Sequence, residues 1–126
     1  ETTMSIIEKG TARTRAELYR LHKNISKAAL ALMKKKNLDY AAGDDPYKNF
    51  RMFEGIGILV RISDKLARLV SFEKRGSFKV KDESLLDTIF DLTNYGVLYY
   101  GFKLQEKQAK VLLKVQSKKK KNKLPK

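Results

Sequence analysis

No cysteine occurs in this sequence. That absence excludes disulfides, thiolate zinc sites and a cysteine nucleophile together. His22 is the single histidine, too few for a histidine metal cluster or a Ser-His-Asp triad. The longest purely apolar run lies in "GIGILV", residues 55–60, far short of a membrane span. The first residues carry no apolar core segment and no small-residue cleavage site, so no secretory signal is expected. A cytoplasmic location is expected instead. Alternation at period two is also missing. "SFKVK", residues 77–81, is the only strand-like piece.

What is present is apolar residues at 42% and a net charge of +14 over 126 residues. The first is ample for one globular domain. The second is large for the size and attracts phosphate, on nucleic acid or on nucleotides. Six lysines crowd the last nine residues, and the body without them still carries +8. The expected organisation is one helical domain over 1–116 and a frayed or disordered Lys-rich tail over 117–126.

The apolar spacing is helical. Thr14 precedes Glu17 by three residues, the spacing of a capping box. Leu18, Leu21, Ile25, Ala28 and Leu32 then share one face of a helix that reaches about Lys36. Gly43 and Pro46 interrupt the pattern. Asp44 or Asp45 can cap a short helix over 46–53, with Pro46 in its first position. Leu59, Ile62, Leu66 and Leu69 mark a second long helix over 56–74, and Leu85, Ile89, Leu92, Gly96 and Tyr99 a third over 84–105. The predicted fold is all-α: a small bundle of three long helices and one short one.

Two polar stripes stand out. Arg61, Lys65 and Arg68 form a basic stripe on the second long helix, and Glu83, Asp87, Asp91 and Asn94 an acidic and amide stripe on the third. In one reading they face each other as ion pairs that fix helix register. In the other they line a polar pocket, with cations on phosphates and Asp and Asn on a base, a ribose or a metal. Asp87 and Asp91, on successive turns, supply two ligands of a magnesium site, whereas a hydrolase wants several converging carboxylates. "GIG" at 55–57 lacks the third glycine and the preceding strand of a dinucleotide fingerprint. The lysine tail suits counterion release on nucleic acid but has no interleaved aromatic for stacking.

Taken together, "KKNLDYAAGDDPYKNFRMF", "GILVRISDKLARL" and "VKDESLLDTIFDLTNY" resemble the phage and bacterial family called nucleotide modification associated domain, type one. Its members show a K-N-x-D-Y segment, a D-K-x-x-R helix and a late D-x-x-x-D-x-x-N-Y helix. The resemblance covers about residues 25–100. It implies a helical fold and the handling of nucleotides. The residues it picks out are Lys36, Asn37, Asp39 and Tyr40; Asn49 and Phe50; Arg61, Asp64, Lys65 and Arg68; and Asp87, Asp91, Asn94 and Tyr95. The last helix is more distantly similar to MazG-like nucleotide pyrophosphohydrolases, which hold magnesium with an E-x-x-E and an E-x-x-D pair. This chain has no E-x-x-E, and Glu83 and Asp87 are one residue too far apart for the second pair.

The expected function is nucleotide binding in a bacterial cell, infected or host. It would serve base modification or sequester a host defence signal. Arg61, Lys65 and Arg68 would meet phosphate. Asp39, Tyr40 and Asn94 would meet base or sugar, or brace the loop that does. Residues 36–51 would form one wall, with Asp39 or Tyr40 close to Arg61, Lys65 or Asn94. The alternatives are a magnesium-dependent pyrophosphohydrolase using Asp87 and Asp91, and a nucleic-acid-binding accessory protein acting through the tail. No cofactor is expected outside the hydrolase reading, no membrane contact is expected, and a homo-oligomer is.

Overall fold

The computed structural model describes residues 2–40, 44–76 and 84–123. The order is α1 (Thr3–Glu8), α2 (Arg15–Tyr40), a 3-10 turn (Lys48–Phe50), α3 (Glu54–Arg75) and α4 (Leu85–Lys123). No strand occurs among the described residues. This is the all-α bundle the periodicity called for. Among the described residues, no helix is long and apolar enough to cross a membrane.

Local sequence sets the helix ends. Thr2 caps α1 by accepting from the Ser5 amide at 3.0 Å. The Thr14 hydroxyl oxygen accepts from the Glu17 amide at 3.1 Å and opens α2. At α4 the Ser84 hydroxyl oxygen accepts from the Asp87 amide at 3.0 Å, and Asp87 returns the favour to the Ser84 amide at 3.4 Å. That is a reciprocal capping box with aspartate in the glutamate position. Gly76 closes α3 in the left-handed region, φ 76°, where a side chain would be strained.

α4 is the centre of the bundle and packs against both α2 and α3. Phe90 meets Ile7 of α1 and Ala29 of α2 in a core flanked by Leu21, Ile25, Ala28, Leu32 and Leu86. On the α3 side, Ile58 and Phe102 are buried. Gly55 lies beside Tyr99 and Lys65 beside Asp91, so α3 and α4 run antiparallel.

Several boundaries differ from the sequence expectation. The first ten residues contain the helix α1, and its Ile7 enters the core. α2 continues to Tyr40 because nothing before Gly43 breaks a helix, so Lys34, Lys35 and Lys36 are not in its last turn. Of the short helix expected over 46–53 only the 3-10 turn Lys48–Phe50 forms, and Glu54, with a positive φ of 54°, sets it off from α3. Beyond Gln105, where Ala109, Leu112, Leu113 and Val115 could continue the third helix or begin another, α4 runs unbroken to Lys123, so the stretch 117–123 of the tail expected to fray is helical, because only helix-tolerant residues lie between Gly101 and Pro125. Every residue from Lys107 to Asn122 is exposed, so that end has no packing to hold it and relies on propensity alone.

The inner face of α3 is also displaced from the predicted one. Ile58 is fully buried and Ile62 and Leu69 are half-buried, whereas Leu59 and Leu66 are 40% and 55% exposed. The helix carries two apolar faces, and Leu59 and Leu66 lie on a different one from Ile62 and Leu69.

Candidate functional site

The polar stripes of α3 and α4 do meet. Lys65 of α3 donates to one Asp91 carboxylate oxygen at 2.9 Å, and Lys36 of α2 donates to the other at 3.3 Å. One carboxylate therefore ties three helices together. The Lys65 and Asp91 side chains are 16% and 17% exposed, while Lys36 is 50% exposed. Among the described residues, two ammonium groups thus converge on a single carboxylate at the junction. One turn further along α4, Asn94 donates its amide to the Ala29 carbonyl of α2 at 2.9 Å. Ala29 is fully buried, and its small side chain lets the two helices approach there.

The other predicted residues scatter around this junction. Arg61 is exposed on α3. Arg68 is half-buried and reaches back to Asp64 at 3.5 Å within its own helix. Asp87 is engaged in the α4 capping box. Asn49 is exposed in the 3-10 turn. Tyr95 packs edge-on against Phe50, with ring centroids 6.4 Å apart. Asn37, Asp39 and Tyr40 belong to the last turn of α2, and their side chains lie outside the described residues, as does Glu83. The expected approach of Asp39 or Tyr40 to Arg61, Lys65 or Asn94 therefore lies outside them too. Among the described residues, no three His, Asp or Glu side chains are gathered as a metal ion requires.

The segment from Asp44 to Phe53 lies on α4 by contacts that the stripes did not reveal. Asp45 accepts from the Tyr47 amide at 3.1 Å, an Asx turn. It also takes both arms of the Arg51 guanidinium, at 2.8 and 2.9 Å, and Arg51 bridges onward to Gln105 of α4 at 3.2 Å. Arg51 holds the Asp45 carboxyl below its ordinary value of 3.8, helped by the Tyr47 amide. The Arg51 guanidinium is raised in turn by Asp45. Tyr47 sits edge-on to Phe102 at 5.6 Å, with its hydroxyl against Gly101. A β-carbon at Gly101 would fall well inside contact with that hydroxyl. The signal available in the sequence was a glycine inside an aromatic-rich helix, opposite a loop rich in tyrosine and arginine.

Two open grooves lie away from the Lys65–Asp91 junction. One, of about 660 Å³, runs between Arg51, Glu54, Phe102, Gln105, Glu106 and Lys110 where α4 overruns its neighbours. The other, of about 310 Å³, lies between α1 and α2 beside Lys9, Glu17 and Arg20. Compared with protein-family models, curated proteins and solved structures, the chain matches none of them.

Proposed function

We propose that this protein binds a nucleotide or a nucleotide-derived ligand, with its phosphates held by Lys65 and Lys36 at the junction of the three long helices. The observation that carries this reading is the pair of ammonium groups drawn from two helices to the single carboxylate of Asp91. A lone ion pair would need one cation. The second leaves uncompensated charge where a phosphate oxygen can share the donors. Arg61 and Arg68 flank Lys65 on the same helix and add to the field. Asn94 serves as a brace, since its amide is used on the α2 backbone. The motif resemblance points to the same ligand class, in base modification or in the sequestering of a host defence nucleotide.

Calorimetry against mono-, di- and cyclic nucleotides at low salt tests the reading. Binding of at least one, weakened tenfold or more by Lys65→Met and untouched by Lys23→Met, supports it. Silence across the panel overturns it.

A second reading, nucleic-acid binding through the basic end, rests on a separate observation. Lys107, Lys110, Lys114, Lys118 and Lys121 recur at steps of 3 and 4 along the exposed end of α4, forming one stripe. A helical stripe can track phosphates, and affinity would then fall steeply with salt. Deleting residues 117–126 should flatten that dependence; unchanged binding removes this reading.

A further inference from the structure

α3 is apolar on the side turned away from its own bundle. Ile56 is 66% exposed, Val60 60%, Leu66 55% and Val70 47%, with Leu59 at 40%. These residues recur at helical steps along one stripe, opposite the buried Ile58. Met52 and Phe53, just before the helix, extend the patch. A continuous apolar face of this length on a charged protein marks a contact surface.

We infer that this face is where a second copy of the chain docks, α3 against α3, antiparallel about a two-fold axis at Ser63. Two observations select that occupant. The first is the pattern itself, which reads the same from either end. With Ser63 on the axis, Ile56 falls opposite Val70 of the second copy, Val60 opposite Leu66, and Leu59 opposite Ala67. Each pair sets apolar against apolar, and the small Ser63 and Ala67 sit at the middle, where two helices must come closest. A two-fold contact requires such self-complementarity.

The second is size. The exposed apolar face runs along α3 from Ile56 to Val70, about 21 Å at 1.5 Å per residue. A stable dimer needs only about 800 Å² from each partner. The overhang of α4 is a poorer seam for self-pairing, because its lysine stripe would repel its own copy.

The inference is independent of the nucleotide reading. Its test is light scattering of the full chain at tens of micromolar, together with Val60→Asp/Leu66→Asp and Ser63→Cys. The chain has no cysteine, so Ser63→Cys supplies a single thiol. Facing Cα atoms about 4 to 7 Å apart permit a disulfide. The expected results are a dimer for the parent chain and a helical monomer for the double aspartate variant. Ser63→Cys should cross-link under mild oxidation at least tenfold faster than Lys23→Cys on the exposed side of α2. If the aspartates unfold the chain, the cross-linking ratio decides. A monomeric parent, a folded aspartate variant that still dimerises, or equal cross-linking at the two thiols overturns the inference.

Discussion

Replacing Asp91 by asparagine separates the role of the three-helix junction in stability from its role in binding. The change keeps the shape and removes the charge that holds Lys65 at 2.9 Å and Lys36 at 3.3 Å. Coulomb attraction at about 3 Å is roughly 5 kcal/mol gross at an effective dielectric of 20. Desolvation offsets most of it. Exposed pairs are worth about 0.2–1 kcal/mol, and breaking a buried pair costs about 3–5 kcal/mol. Lys65 and Asp91 are each about one-sixth exposed, and a lysine can swing its ammonium towards water. Asp91→Asn is therefore expected to cost about 2 kcal/mol. The coupling of Asp91 with Lys65, from the cycle with Lys65→Met, should be about 1.5 kcal/mol. With the half-exposed Lys36 it should be about 0.5 kcal/mol or less. Urea unfolding followed by circular dichroism, at one fixed protein concentration, measures all of these. A coupling to Lys65 no larger than that to Lys36 would refute the reasoning. Under the nucleotide reading the same variant frees two ammonium groups. Phosphate affinity should then rise in Asp91→Asn, while Lys65→Met lowers it.

Three further outcomes follow from the loop and the core. Gly101→Ala should destabilise by about 1–3 kcal/mol, because its methyl overlaps the Tyr47 hydroxyl. Adding Tyr47→Phe should recover that loss and leave the helix about 1 kcal/mol better for carrying Ala in place of Gly; a single variant as stable as the parent would contradict this. Among the described residues the buried Thr88 side-chain oxygen has no hydrogen-bond partner, so Thr88→Val should be neutral or stabilising by up to about 1 kcal/mol. A loss larger than that in urea unfolding would count against it. The Asp45 carboxyl is held below 3.8 by Arg51. A depressed folded value means that its contribution is complete above 3.8 and is lost as pH falls through the lowered value. Carbon-detected titration of Asp45 should give a midpoint below 3.8 that moves back towards it in Arg51→Gln; an unmoved midpoint would exclude Arg51 as the cause.

The helices were legible because their signals are local. The Thr14–Glu17 spacing and the steps from Leu18 to Leu32 specify α2 without any tertiary partner. The pairing of the α3 and α4 stripes was legible as one of two alternatives, since Lys65 and Asp91 share the right period on neighbouring helices. Asp87 looked like a partner of Asp91 because both lie on one stripe. Its position three residues after Ser84 instead commits it to the cap, and period alone does not rank those two uses. Lys36 was read through the motif, but its convergence on the same carboxylate as Lys65 depends on where α2 crosses α4. The face of α3 was misread for a related reason. A helix that is apolar on both sides has no single moment to follow, and only burial distinguishes Ile58 from Leu59.

The sequence by itself determined the all-α class, the capped start of α2 at Thr14 and the strong positive field. Each of these follows from backbone hydrogen bonding, periodicity or summed charge, which act over a few residues or need no geometry at all. The tertiary structure alone decided that Asp91 gathers two lysines, that Tyr47 rests on Gly101 beside Phe102, and that one apolar face of α3 is left outside the bundle. Those outcomes depend on the angle and offset at which helices cross, which side-chain packing sets and no local pattern encodes.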